Sequence, residues 1–301
     1  MTATRDFNAS GRTVRVSRPD KALFPDDGIT KADLARYYRT VAHRMLPQLR
    51  GRPLMLERHP DGIGGMSFMQ KDVPEHFPDW IHRVELPKRQ GTVTYLLCDD
   101  TATLLYLVDQ GCITPHRFLS RADRPDHPDR LIFDLDPAGD DVAQVRIAAL
   151  LLRDLLEQLR LPSAVMTTGS RGLHVLVPLD RSASFDDVRA FARGVAEHLA
   201  AGRPDTLTTE VRKEARKKRL YLDIQRNAYA QTAVAPFAVR ARPGAPVAAP
   251  VTWAEVEAGD IGARSFTVND MSARLEENPW QKVFRRGRSL GPARRRLDAL
   301  R

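Results

Sequence analysis

LIFDLD, residues 131–136, decides how this chain folds. The segment predicts a strand, and strand side chains alternate between faces. Asp134 and Asp136 therefore share one face with Ile132, while Leu131, Phe133 and Leu135 take the other. Downstream, RLYLDIQ at 219–225 predicts another strand, with Leu220, Leu222 and Ile224 on one face and Tyr221 and Asp223 opposite. Between them the spacing predicts a helix over 141–159, with Val142, Val145, Ala149, Leu152, Leu156 and Leu159 on one side. A strand near 164–167, a Gly-rich turn, a strand over 173–179 and a helix from a Ser184 cap to about Ala200 complete the block. The order is β-α-β-β-α-β, the split βαβ or ferredoxin-like plan. In that plan the first and third strands are central neighbours and the fourth lies beside the first. Asp223 then comes next to Asp134 and Asp136. An Asp-x-Asp before Pro137 reads by itself as a turn signal. A third carboxylate on the neighbouring strand points instead to a cluster of hard oxygen ligands, because three like charges that close are costly without a cation.

The turn between the two inner strands reads TTGSRGLHV, residues 167–175. Gly169 and Gly172 permit a tight loop whose backbone N–H groups can face an anion, and Ser170 and Arg171 add donors suited to phosphate oxygens. His174 opens the third strand, beside the first. No G-x-x-x-x-G-K-[ST] is present, so this is not a Walker A loop. RKEARKKR at 212–219 is a dense basic run just before Asp223, which reads equally as a solvated face. Arg226 and Arg240 follow, the latter in the proline-rich APFAVRARPGAPV.

Upstream, PDKALFPDDGIT is turn-rich and feeds a helix over about 31–45, opened by Thr30 with Asp33 three residues on, close to a capping box. Leu34, Tyr37, Val41 and Met45 form its apolar stripe. Strands near 53–58 and 92–97 and a helix near 100–110 complete an N-terminal part, while residues 1–12 read as a frayed start. The expected organisation is a single domain: an α/β module over about 13–125, a catalytic core over about 126–285 and a basic tail over 286–301.

Composition narrows the function. No apolar run approaches the roughly 20 residues of a membrane-spanning helix, and the opening MTATRDFNASGRTVRV lacks the apolar core of an export signal. Cys98 and Cys112 alone exclude a disulfide scaffold or a cysteine zinc cluster. A cytoplasmic protein without a membrane partner is expected. The excess of 47 Lys and Arg over 38 Asp and Glu, a net charge of +9, suits a polyanionic partner, although a generally basic surface gives the same balance.

FDLDP, TTGSRGLHV and RLYLDIQRNAYAQTAVAPFAVRARPGAPV together resemble the three motifs of the archaeo-eukaryotic primase superfamily. The whole stretch from PDKALFP to NPWQKV is more closely similar to the polymerase domain of bacterial ligase D. GRPLMLERHPDGIGG, SFMQKD, PEHFPDW and LSRADRPDHPDRLIFDLDP add to the likeness. The resemblance implies an α+β, primase-like fold and a DNA-directed nucleotidyltransferase, a polymerase or primase that extends primers at gaps or broken ends in repair. It implies that Asp134, Asp136 and Asp223 bind two catalytic divalent ions, manganese or magnesium. Thr168, Ser170, Arg171, His174, Arg226 and Arg240 would line the triphosphate of an incoming NTP or dNTP, and His116 its ribose. Lys21 and Lys31 would engage a 5′-phosphate on the downstream strand, and Arg58 and Phe68 the template. DNA with gaps, overhangs or double-strand ends is the implied partner at the nucleoid, with Ku and a separate DNA ligase as further candidates. No ligase or phosphoesterase sequence accompanies it here, so a stand-alone polymerase is expected.

Three positions depart from that pattern. Glu57 stands where the family usually has Lys, which removes part of the expected 5′-phosphate pocket. Met69 replaces a frequent aromatic, and Arg171 replaces a loop Lys whose geometry it does not reproduce. Two other readings compete. A nucleotide-sugar transferase with an Asp-x-Asp metal site needs neither Asp223 nor a basic groove. A noncatalytic nucleic-acid-binding sheet would present aromatics rather than Asp134, Asp136, Asp223 and His174.

Overall fold

The structure is a computed structural model describing residues 3–88, 90–137, 139 and 141–300. Arg301, at the end of the expected tail, and Met1 and Thr2, in the expected frayed start, lie outside the described residues. The chain divides into two compact units: one of residues 1–118, 232–248 and 266–277, the other of 119–231, 249–265 and 278–301.

The second unit contains a six-stranded sheet ordered Leu207–Thr208, Leu220–Asp223, Arg130–Asp136, Leu173–Pro178, Ala164–Thr167 and Pro250–Val251. Its four inner strands follow the expected ferredoxin-like order and pair antiparallel, with a short parallel strand added at one edge and an antiparallel one at the other. The helix Val142–Gln158 starts at an Asp141 cap and buries Val145, Ala148, Ala149, Leu152, Leu155 and Leu156. The helix Phe185–Gly202 opens with a Ser184–Asp187 capping box that satisfies two otherwise orphaned N–H groups. Both pack on the sheet and on each other. The central strand Arg130–Asp136 is buried until its last residue, so its apolar side chains anchor a backbone that carries carboxylates at one end.

One strand is shorter than the sequence predicts. Pairing ends at Asp223, because Ile224 takes φ −111° and ψ 3° and a 3₁₀ turn over Gln225–Asn227 follows. Asp223 Oδ1 accepts from the Gln225 N–H at 2.7 Å, a local bond that competes with strand continuation. Asn227 then takes the missing strand's place: its side chain accepts from Ile132 N at 2.9 Å and donates to Ile132 O at 2.6 Å.

The first unit contains a four-stranded antiparallel sheet ordered Thr232–Val234, Cys112–Phe118, Leu54–Arg58 and Phe68–Gln70. The expected Thr30–Asp33 box opens the helix Lys31–Leu49, which buries Leu34, Tyr37, Val41 and Met45 as the stripe predicts. Tyr37 and Tyr38 donate their hydroxyls to Phe237 O and Ile113 O, so each buried phenol has its partner. The expected frayed start is instead a hairpin of Thr4–Ala9 and Arg12–Ser17 with Phe7, Val14 and Val16 buried. Its turn places Ser10 and Gly11 at φ +51° and +71°, the left-handed pair whose twist suits a two-residue hairpin loop. Among the described residues no helix is long and apolar enough to cross a membrane.

Candidate active site

Asp134 sits at the centre of a rung across three strands, paired directly with His174 on one side and Asp223 on the other. Two residues along, Asp136 pairs with Tyr221 at the open end of the sheet. His174 Nε2 lies 3.3 Å from Asp134 Oδ1, and Arg226 Nε lies 3.4 Å from Oδ2. Burial pushes the Asp134 carboxyl up, but His174 and then Arg226 outweigh it and hold the group below the ordinary carboxylate range. Asp136 and Asp223 move the other way: burial raises each first, and the Asp134 charge raises each further. The cluster thus pairs one carboxylate, held low by its His174 and Arg226 neighbours, with two carboxyls pushed up beside it.

Among the described residues, no three His, Cys, Asp or Glu side chains are gathered closely enough to hold a metal ion as they stand. The donor chemistry nevertheless fits a hard divalent cation. Three carboxylates repel one another at the ends of two paired strands, which a cation would relieve. His174 Nδ1 is buried with no partner among the described residues.

The loop 168–172 is organised by one hydroxyl. Thr168 Oγ1 accepts from the N–H groups of Ser170 and Gly172, each at 3.2 Å, and donates to Gly172 O at 3.0 Å. Two N–H groups expected to face an anion therefore turn inward. Gly169, at φ +62°, makes the reversal. Arg171 is exposed, and its charge bears on Asp136. Sequence reading missed Arg264, whose Nε donates to Ser170 O at 2.7 Å across 94 residues. No local signal marks a partner so distant.

The first unit carries the other candidate residues. His116 lies on the strand Cys112–Phe118, with Nε2 at 3.2 Å from Glu57 Oε2; Glu57 Oε1 lies 3.3 Å from His59 Nε2. Burial pushes the Glu57 carboxyl up, but His116, His59 and the Arg240 charge reverse this and hold it at about 2. Glu57 therefore faces two histidines, and it is not among the residues lining the cavity that holds Lys31. Strand alternation is the reason: Arg58 turns to the opposite side, donating Nε to Gln110 O at 2.7 Å, with its guanidinium 5.1 Å from the exposed Phe68 ring.

A cavity of about 220 Å³ on that opposite side is lined by Arg18, Lys31 and Arg58, among others. Lys31 is buried against Asp109 at 2.7 Å, and burial pushes its ammonium down. Lys21 is not in that lining; its Nζ binds Asp61 at 2.6 Å. The structure thus brings Lys31 and Arg58 together and leaves Lys21 on a neighbouring acid.

Glu57→Gln gives a prediction with a definite sign. Because the carboxyl is held at about 2 against an ordinary 4.5, its contribution to stability is complete above 4.5 and fades as pH falls toward 2. The variant should melt roughly 2–6 °C lower than native at pH 7, from the loss of one charge-assisted bond. The gap should close in melts taken toward pH 2. Equal melting at pH 7, or a gap that widens in acid, would show the pair to be unimportant.

The comparisons with known proteins agree with this geometry. A family model described as the LigD primase-polymerase domain matches residues 30–281. The multifunctional non-homologous end joining DNA repair protein LigD of Mycobacterium tuberculosis is 33% identical over 277 residues, 89% of this chain and 36% of that protein. The bifunctional LigD of Bacillus subtilis is 30% identical over 261 residues, 86% of this chain and 42% of that protein. The chain spans only about a third to two-fifths of these relatives' lengths. The solved polymerase domain of Mycobacterium tuberculosis ligase D in complex with DNA superposes with a TM-score of 0.84 at 31% identity, covering 91% of this chain and 98% of that one. The α+β, primase-type fold expected from the motifs is therefore the fold observed. With the family model spanning well over half of the sequence and a solved relative following nearly all of it, this chain belongs to the LigD primase-polymerase domain family.

Proposed function

We propose that this chain is a template-directed nucleotidyltransferase that extends primers at gaps or ends of DNA, in repair of the non-homologous end joining kind. The observation that carries the reading is the His174–Asp134–Asp223 rung with Asp136 beside it, in a chain of the LigD primase-polymerase family. A sheet used only to bind nucleic acid gains nothing from three carboxylates, which repel phosphate. Asp134, Asp136 and Asp223 would hold divalent cations, which supply charge neutralisation at the attacking and leaving oxygens of phosphoryl transfer. His174 and Arg226 fix the Asp134 carboxylate from both sides, so its ionised state is maintained before substrate arrives. Thr168, Ser170 and Arg171 would receive the nucleotide's phosphates, with Arg171 supplying the exposed charge. The roles of His116 and Arg240 toward the nucleotide, and of Lys21 and Phe68 toward DNA, are supported by the family likeness, and those of Lys31 and Arg58 also by the cavity they line with Arg18. Manganese as the preferred ion, a nucleoid location, and Ku and a separate ligase as partners rest on the likeness alone.

The test is primer extension on gapped DNA with manganese or magnesium, comparing ribonucleotides with deoxynucleotides and 5′-phosphate with 5′-hydroxyl ends. Extension that needs the cation supports the reading. Its absence under every combination would overturn it.

A further inference from the structure

We infer that residues 282–296 form a second, docked surface for the phosphate backbone of duplex DNA, separate from the carboxylate rung and resting on the DNA substrate proposed above. The family match ends at residue 281, so this segment lies beyond what the family model describes. It is not a loose tail. Trp280 is buried and donates Nε1 to Val165 O at 3.0 Å, and its ring meets Phe284 at 5.2 Å. The Arg130 guanidinium lies 4.2 Å from the Phe284 ring on the same side of the unit. Arg288 N donates to Pro178 O at 2.9 Å and Asp180 N donates to Arg288 O at 3.2 Å, so the chain pairs in parallel beside Leu179, just past the end of a sheet strand. Gly287 makes that approach possible, since a Cβ there would fall 2.2 Å from Leu179 O. The helix Leu290–Asp298 then buries Leu290, Ala293 and Leu297 against the helix Phe185–Gly202.

What this scaffold holds outward is cationic. Lys282, Arg285, Arg286, Arg288 and Arg295 are exposed, and none has an acid partner among the described residues. Arg294 differs, lying 3.6 Å from Asp187. Five exposed cations on one docked segment repel one another, and a polyanion laid against them relieves that repulsion. A phosphate backbone presents such charges at regular spacing and releases counterions when they are met.

The position argues for independence from catalysis. Arg288 joins the sheet at Pro178, which pairs with Arg130, whereas His174 pairs with Asp134. Four strand residues separate the two, about 13 Å at strand rise, so Arg288 stands away from the carboxylate rung.

The experiment uses the full chain and an ungapped 30-base-pair duplex, with binding measured by fluorescence anisotropy from about 50 to 200 mM salt and EDTA present. Each phosphate contact contributes about 0.9 to the slope of log affinity against log salt, so Arg286→Gln/Arg288→Gln/Arg295→Gln should flatten that slope by about 2 to 3. The corresponding triple Lys variant should keep it, which separates lost charge from lost folding. Extension at saturating gapped DNA should stay near native in both. An unchanged slope in the Gln variant overturns the inference and leaves an acidic protein as the partner to seek. Slope loss in the Lys variant equal to that in the Gln variant also overturns it. If the native chain binds duplex with this slope but never extends a primer, the polymerase reading fails while this surface stands.

Discussion

Asp134→Ala should abolish primer extension while leaving duplex binding near native. Asp134 is the residue of the cluster that pairs with both a histidine and a second carboxylate across the sheet, and its carboxyl is the one held below the ordinary range. Loss of a cation's charge neutralisation at the transferred phosphoryl group is worth several kcal/mol, so the rate should fall roughly a hundred- to ten-thousand-fold. Binding should persist because a carboxylate does not hold phosphate; removing one should, if anything, tighten DNA. Rapid-quench extension at saturating DNA and nucleotide, with anisotropy alongside, separates the two quantities. Extension within about tenfold of native would remove Asp134 from the chemistry, and a parallel loss of binding would mean that the substitution unfolds the sheet.

The second large effect comes from a residue with no side chain. A Cβ on Gly172 would lie 1.9 Å from Leu135 O, backbone against backbone, where no flexible atom can yield. Gly172 also supplies the N–H and the C=O that close on Thr168 Oγ1. Gly172→Ala must therefore push the 168–172 loop away from the strand that carries Asp134 and Asp136. Overpacking of this kind costs about 1–3 kcal/mol, a melting decrease of roughly 2–10 °C for a chain of this size. The nucleotide KM should rise in the surviving folded protein. Melting within about 1 °C of native together with an unchanged KM would mean that the close approach is not required. Gly169→Ala, at φ +62°, tests turn strain instead of the clash.

Much of the second unit is legible in the sequence because its signals are local. Alternation places the carboxylates, apolar spacing marks the helix near 141–159, and the Ser184 cap marks the start of the other. The βαββαβ order then fixes which strands are neighbours, so the Asp134–Asp223 contact follows from topology across 89 residues of chain. The unread features lack such signals. Asn227 acting as a surrogate strand, Arg264 bonding Ser170 and Arg288 joining Pro178 are long-range hydrogen bonds made by residues that look like ordinary loop. The histidine partners of Glu57 went unread for a different reason. A family position identifies a residue, but the face its side chain takes depends on strand parity, and the pairing shifts between Glu57 and Arg58. Phe7, Val14 and Val16 were passed over because two short alternating runs joined by Ser10-Gly11 carry little apolar mass, although their packing is complete.

The most direct measurement is single-nucleotide insertion opposite each of the four template bases on a one-nucleotide gap, run with native protein, with EDTA, and with Asp136→Asn and Asp223→Asn. The rung account predicts insertion that follows the template base, stops in EDTA and is lost in both variants. Insertion that ignores the template, survives EDTA, or continues at native rate in either variant would contradict it.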